Sequence, residues 1–247
     1  MATARPSRRT AVSISVAVAV LAIIAVVVTV AILRGRGTPH IDSGTASPTP
    51  ATTATGQPST TPLVVYLGNS FVGGSAQDSG PQDRFPALIS SDLNTNWIAI
   101  TSGGSGYVDP GDDGLTFDDL AGEVPENASL VVIMGSDDDA GYPAAKIMDA
   151  ALTTLQTIRQ RAPQAQVLVI STPWVSADPP AGILTSRDAV SDAAHFDNLP
   201  YIDPIADGWW VTGPPEQIGD DGLHPTDLGH AQMAERLEPV IRQLLGQ

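Results

Sequence analysis

The chain has 247 residues, with 27 acidic and 12 basic side chains, four histidines and no cysteine. Without cysteine there is no disulfide framework, no thiolate metal site and no cysteine nucleophile. The charge is uneven: residues 63–247 hold 7 basic and 26 acidic residues, a net of −19, a surface that repels nucleic acid and anionic lipid headgroups.

Residues 1–10 carry Arg5, Arg8 and Arg9 and read as a cytoplasmic N-terminus. Residues 11–33 contain neither charge nor proline. At about 1.5 Å per residue they span a hydrocarbon core of about 30 Å. The run ends in "ILRGRG", without a small-residue cleavage motif, so it reads as an uncleaved transmembrane anchor. The leading arginines keep the N-terminus inside, against Arg34 and Arg36, and place the remainder on the extracytoplasmic side of the cell membrane. Residues 34–62 are rich in Ser, Thr, Pro, Ala and Gly, too poor in apolar surface to fold, and read as an extended linker that includes His40.

From residue 63 to 247 the pattern is that of one domain. Apolar runs at 63–67, 97–101, 130–134, 167–171 and 201–205 predict strands. Four of them are almost continuously hydrophobic, as parallel strands covered on both faces are. Ile147, Ala151, Leu155 and Ile158 recur at helical spacing, and so do Met233, Leu237, Val240, Ile241 and Leu244, with a kink expected at Pro239. Strand–helix alternation predicts a three-layer α/β domain, a doubly wound sheet of about five parallel strands.

Ligands of such sheets bind beyond the carboxyl ends of the strands. The segments there are "GNSFVGG", "SGGSGY", "GSDDDAG" and "GDDGLHPTDLGH". Ser70 follows a glycine turn, either as a hydroxyl offered at the rim or as a helix cap. Asp221 precedes His224 by three residues across Gly222, a spacing that folds a carboxylate onto an imidazole and fixes its tautomer. The alternative is a surface loop with an incidental histidine. His195 and His230 fall on predicted helices and read as structural.

Other readings of the rim are poorer. "GNSFVGGS" has P-loop glycine spacing but Gly74-Ser75 where Lys-Ser/Thr is required. "DPGDDGLTFDDL" fails the calcium loop at Gly111 and Leu120. No metal and no cofactor is expected. Asp139 reads as part of a solvated loop. Trp209 and Trp210 lie ahead of the histidine loop, either flanking a substrate or packing beneath that loop.

The four segments together resemble the SGNH, or GDSL-type, hydrolase family of esterases and lipases over residues 63–247. Its blocks are G-D-S, a glycine, G-x-N-D and D-x-x-H-P. The counterparts are Gly68-Asn69-Ser70, Gly103 to Gly106, Gly135-Ser136-Asp137-Asp138, and Asp221 through His224 to Pro225. The resemblance implies a flavodoxin-like SGNH fold and acyl transfer to water or to another hydroxyl. Ser70 would be the nucleophile, His224 the base and Asp221 its orienter. The oxyanion would be held by the N–H groups of Ser70 and Gly104 and by residue 137. The expected partner is an acyl ester, either a lipid, an acylated glycan or a small ester. Two blocks depart from the family. Asn69 replaces an aspartate, which leaves the Ser70 N–H unaffected. Asp137 replaces an asparagine, and an ionised carboxylate cannot donate a hydrogen bond. The expectation is an esterase weakened or acid-shifted by Asp137; the rival is a non-catalytic envelope- or glycan-binding domain on a hydrolase fold.

Overall fold

The computed structural model describes residues 37–45 and 61–247. The expected anchor, residues 11–33, lies outside them, as does most of the linker. Among the described residues no helix is long and apolar enough to cross a membrane.

Six strands make one sheet: β1 (His40–Gly44), β2 (Leu63–Gly68), β3 (Asn96–Thr101), β4 (Leu130–Met134), β5 (Gln166–Ile170) and β6 (Tyr201–Ile202). Their order across the sheet is β1-β3-β2-β4-β5-β6. The five strands from β2 to β6 are mutually parallel, with Tyr66 opposite Ala99 on one side and Val132 on the other. In chain order they run second, first, third, fourth, fifth, the doubly wound arrangement. The sequence expectation of five parallel strands holds, although the last is two residues long rather than five.

The sixth strand corrects the linker. Residues 40–44, expected to be extended spacer, pair antiparallel with β3, His40 opposite Thr101 and Gly44 opposite Trp97. Composition does not reveal this, because the strand buries little of its own surface and Ile41 remains half exposed. What holds it is a ladder onto an open edge, a tight fit of Gly44 against the Trp97 indole, and Asp42 at 3.3 Å from Arg84.

Alternation along the strands divides the core. Val65, Leu67, Val131, Ile133, Val167 and Val169 face α3 (Phe117–Ala121), α4 (Ala144–Arg161) and α5 (Ala181–Phe196). Val64, Tyr66, Leu130, Val132, Leu168 and Ile170 face α1 (Ser70–Gly73), α2 (Phe85–Leu93) and α6 (Asp227–Leu244). Both faces are covered, which explains the unbroken hydrophobicity of β4. Helix α4 runs on both sides of its periodic residues, and α6 continues through Pro239 to Leu244. Between β2 and β4, adjacent in the sheet, the chain leaves in opposite directions: α1 to one face, a 3-10 turn at Asp137–Gly141 toward the other. This is the switch point where a crevice opens.

Candidate active site

Ser70 is the first residue of α1 and half-buried at the carboxyl end of β2. Gly68 is required before it, since a Cβ there would stand 2.6 Å from Val72. The cap of α1 is Asn69, whose side-chain oxygen accepts from the Phe71 N–H at 3.0 Å, so Ser70 is not the cap. Among the described residues, no acceptor takes the backbone N–H of Ser70 or of Gly104.

The histidine loop closes on this serine from the far end of the chain. Oδ1 of Asp221 accepts the N–H groups of Leu223 and His224, each at 2.9 Å, while Gly222 turns with φ +71°. The other carboxylate oxygen, Oδ2, lies 2.7 Å from Nδ1 of His224. Nε2 of His224 lies 2.9 Å from Oγ of Ser70, 154 positions away in sequence. Upstream, the N–H of Gly219 donates to His224 O, and downstream the Thr226 side chain caps α6, so the loop is pinned at both ends. Partial burial works against the Asp221 charge, but the His224 backbone and imidazole and the Leu223 N–H outweigh it and hold its pKa down at about 2. An ionised carboxylate on Nδ1 fixes the tautomer that leaves Nε2 free to take a hydroxyl proton.

Residue 137 follows β4, the strand beside β2. Nδ2 of Asn69 reaches Ser136 Oγ at 2.9 Å, Asp138 Oδ2 at 3.0 Å and Asp137 Oδ1 at 3.2 Å. Burial and then the charge of Asp138 push the Asp137 pKa up to about 6, against the Asn69 hydrogen bond and the His224 charge. Sequence reasoning treated Asn69 as a passive replacement. It is instead the buried junction between the first and third blocks, a role visible only once β2 and β4 are adjacent.

Asp139 also differs from expectation. It is fully buried, and its carboxylate accepts the N–H groups of Tyr107, Val108 and Asp109 at 2.7, 2.9 and 3.0 Å. Burial raises its pKa, opposed by those three donors. It anchors the glycine loop that follows β3. Gly106 packs on the same carboxyl, with a Cβ there falling 2.5 Å from it, whereas Gly104 sits higher in the loop with φ +67°. The two glycines thus separate into one that packs and one whose N–H remains open. Asp109, the first position of the rejected calcium loop, accepts from Gly111 N–H and the Tyr142 hydroxyl.

Trp209 and Trp210 are buried, at 3 % and 5 % exposure. Trp210 packs edge-on against Phe71, centroids 6.0 Å apart, and Phe71 in turn lies 6.1 Å from the His224 ring. Trp209 and Trp210 back a shallow cleft completed by Trp174, Pro204 and Ile205. Trp174 is the more accessible ring there, and its sequence context, "STPWVS" after β5, carried no motif. His195 is exposed at the end of α5. His230 is fully buried against Phe85, with Nε2 at 3.8 Å from Asp78.

The sequence profile of the GDSL-like Lipase/Acylhydrolase family matches residues 66–232. GDSL lipase Rv0518 of Mycobacterium tuberculosis is 36 % identical over 191 residues, covering 72 % of this chain and 80 % of that protein. Among solved structures, a carbohydrate esterase family 2 enzyme of Corynascus thermopiles superposes with TM-score 0.60 at 19 % identity, covering 78 % of this chain and 69 % of that one. The salicylyl-acyltransferase SsfX3 of a tetracycline biosynthetic pathway gives 0.58 at 18 % identity, covering 76 % and 56 %. At that identity the structures carry the fold alone, and the profile and the lipase carry the family. The chain belongs to the GDSL-like lipase/acylhydrolase family, the SGNH type its four blocks resemble, and its chemistry is the hydrolysis or transfer of acyl esters.

Proposed function

We propose that this protein is a serine-dependent acyl ester hydrolase or acyltransferase held at the outer side of the cell membrane by residues 11–33. The hydrogen-bonded chain from Ser70 Oγ through His224 to Asp221, 2.9 and 2.7 Å, is the observation that carries the reading. Ser70 Oγ attacks the ester carbonyl carbon and its proton passes to His224 Nε2. The carbonyl oxygen becomes an oxyanion, received by the N–H groups of Ser70 and Gly104 and by the Asp137 carboxyl. Collapse breaks the ester C–O bond, and the leaving alcohol takes the proton back from His224. Water, or a sugar or other hydroxyl, then repeats the attack on the acyl-serine. Asp221 stays ionised throughout.

The substrate fits the location: an acyl group on envelope lipid or glycan. The cleft walled by Trp174, Trp209 and Trp210 lies on the segments that follow β5 and β6, and its volume of about 40 Å³ suits only a small apolar group. The name of the mycobacterial relative favours a lipid ester.

One observation favours a second reading, a non-catalytic binding domain: a carboxyl rather than an amide stands at residue 137, where negative charge would develop. A fluorophosphonate serine probe separates the two. Covalent labelling of Ser70, abolished in Ser70→Ala, is the expected result. A folded protein that takes no label, at acid or neutral pH, refutes the enzyme reading. The membrane assignment is tested by fractionating cells that express the full chain, with protease added outside: degradation of the domain in intact cells is expected, and protection rejects the orientation.

A further inference from the structure

The two departures from the family pattern touch each other. Asn69 and Asp137 lie on loops leaving adjacent strands, and Nδ2 of Asn69 donates to Oδ1 of Asp137 at 3.2 Å. The same amide reaches Asp138 Oδ2 at 3.0 Å, and Asp138 Oδ2 also receives the Ser136 hydroxyl at 2.9 Å. Two carboxyls and, at 2.9 Å, the Ser136 hydroxyl therefore share the N–H groups of one buried amide, but the carboxyls do not share it equally. Asp138 has a second side-chain donor, and its own N–H is satisfied by Ser136 Oγ at 3.1 Å. Asp137 has the amide on Oδ1 and, besides it, its own backbone N–H. Burial and the neighbouring Asp138 favour the neutral form of Asp137, whose proton is then carried by Oδ2, the oxygen the amide does not occupy.

We propose that Asn69 is a positioning residue for the oxyanion site: by holding Oδ1 of Asp137, it leaves a protonated Oδ2 to donate to the substrate oxyanion, so the residue tolerated at 69 depends on the residue at 137. The proposal rests on the esterase reading and adds to it a donor built from a carboxylic acid and the group that orients it. An aspartate at 69 would put a third carboxyl beside 137 and 138 and supply no donor. An asparagine at 137 would turn its Oδ1 to Asn69 and its own Nδ2 to the oxyanion, or donate to an aspartate at 69. The charged groups facing Asp137 are Asp138 and His224; Asp139 is committed to the loop at 107–109.

The design separates this from a structural role, because the second function of Asn69, accepting the Phe71 N–H, is one an aspartate performs as well. The experiment is a double-mutant cycle of Asn69→Asp and Asp137→Asn in the full chain, reading kcat and KM on a p-nitrophenyl ester from pH 4.5 to 8.5, with Tm alongside. The expected result is a loss in kcat of about 10²-fold for Asn69→Asp alone at little change in KM, with at least about 10-fold recovered when Asp137→Asn is added. The falling limb of the pH dependence should be present only where residue 137 is aspartate, and a change at 69 should shift it only in that background, since the Asn69 hydrogen bond holds the Asp137 pKa down. Equal losses from Asn69→Asp in both backgrounds overturn the proposal, and so does a loss of folding that Asp137→Asn does not repair. Tm distinguishes this from failure of the esterase reading. If no variant hydrolyses any ester but Asn69→Asp lowers Tm only when residue 137 is aspartate, the couple stands and the esterase reading falls; if neither activity nor Tm is coupled, the couple falls.

Discussion

Replacing Asp137 with asparagine tests the role of the carboxyl most directly. The oxyanion needs a hydrogen-bond donor, and only the neutral acid is one. With a pKa of about 6, roughly 90 % of the carboxyl is protonated at pH 5 and about 3 % at pH 7.5. The sign follows: the donor is present below the pKa and is lost as pH rises through it. His224 imposes the opposite demand, since only the neutral imidazole accepts the Ser70 proton. The native protein should therefore have a bell-shaped kcat profile displaced to the acid side. Asp137→Asn supplies a permanent donor and removes the falling limb. The variant should gain roughly 30-fold at pH 7.5 and almost nothing at pH 5, and its profile should rise to a plateau. Initial rates on a p-nitrophenyl ester, with spontaneous hydrolysis subtracted at each pH, give the ratio. A ratio independent of pH, or a variant slower than the native chain at pH 7.5, refutes the reasoning that a protonated Asp137 faces the oxyanion.

Ser70→Ala should lower kcat by at least about 10⁴-fold while leaving the melting temperature within a few degrees, because the hydroxyl is a rim group and not the cap of α1. Asp139→Asn replaces acceptors of three backbone N–H groups by one acceptor and a donor aimed at them; a loss of about 2 kcal/mol, or a Tm drop of roughly 4–8 °C by calorimetry, is expected, and an unchanged Tm would contradict the anchoring role. Starting the chain at residue 63 instead of 38 removes β1 and uncovers the β3 edge; the shorter protein should fold yet self-associate with concentration in size-exclusion chromatography, and equal monomeric behaviour of both would show that β1 does not protect the edge.

The parallel strands and the long helices were legible because burial on both faces writes itself into local sequence: β4 is five apolar residues in a row, and α4 and α6 repeat at helical spacing. His224 and Asp221 were legible for a similar reason, since their contact is closed by three residues and a glycine turn. β1 was not, because an edge strand is held by its partner's open hydrogen-bonding groups and asks little of its own side chains. Asp139 was misread for the complementary reason. A run of three aspartates looks solvated, and nothing in it says that the third turns inward to three backbone donors 30 to 32 residues earlier in the chain. Local pattern reports how a segment meets water, and it is silent where a polar group is satisfied at long range.

Asn69 and Asp137 bring that limit to the reaction itself. Taken singly, each departure from the family blocks reads as damage or as indifference. Placed on adjacent strands they form one unit, an amide that donates and a carboxyl that accepts on one oxygen and can donate from the other. The usual order in the family has the carboxyl on the first loop and the amide on the third; here the two are exchanged. In this chain a hydrogen bond joins the loops of β2 and β4. What the exchange would alter, on the proposed reading, is the group offered to the oxyanion, from an amide that donates at every pH to an acid that donates only while protonated. A chain with aspartate at both 137 and 69 would lose the amide that holds Oδ1 of residue 137, so on the proposed reading the two positions act together, and neither residue can be judged from its own block alone.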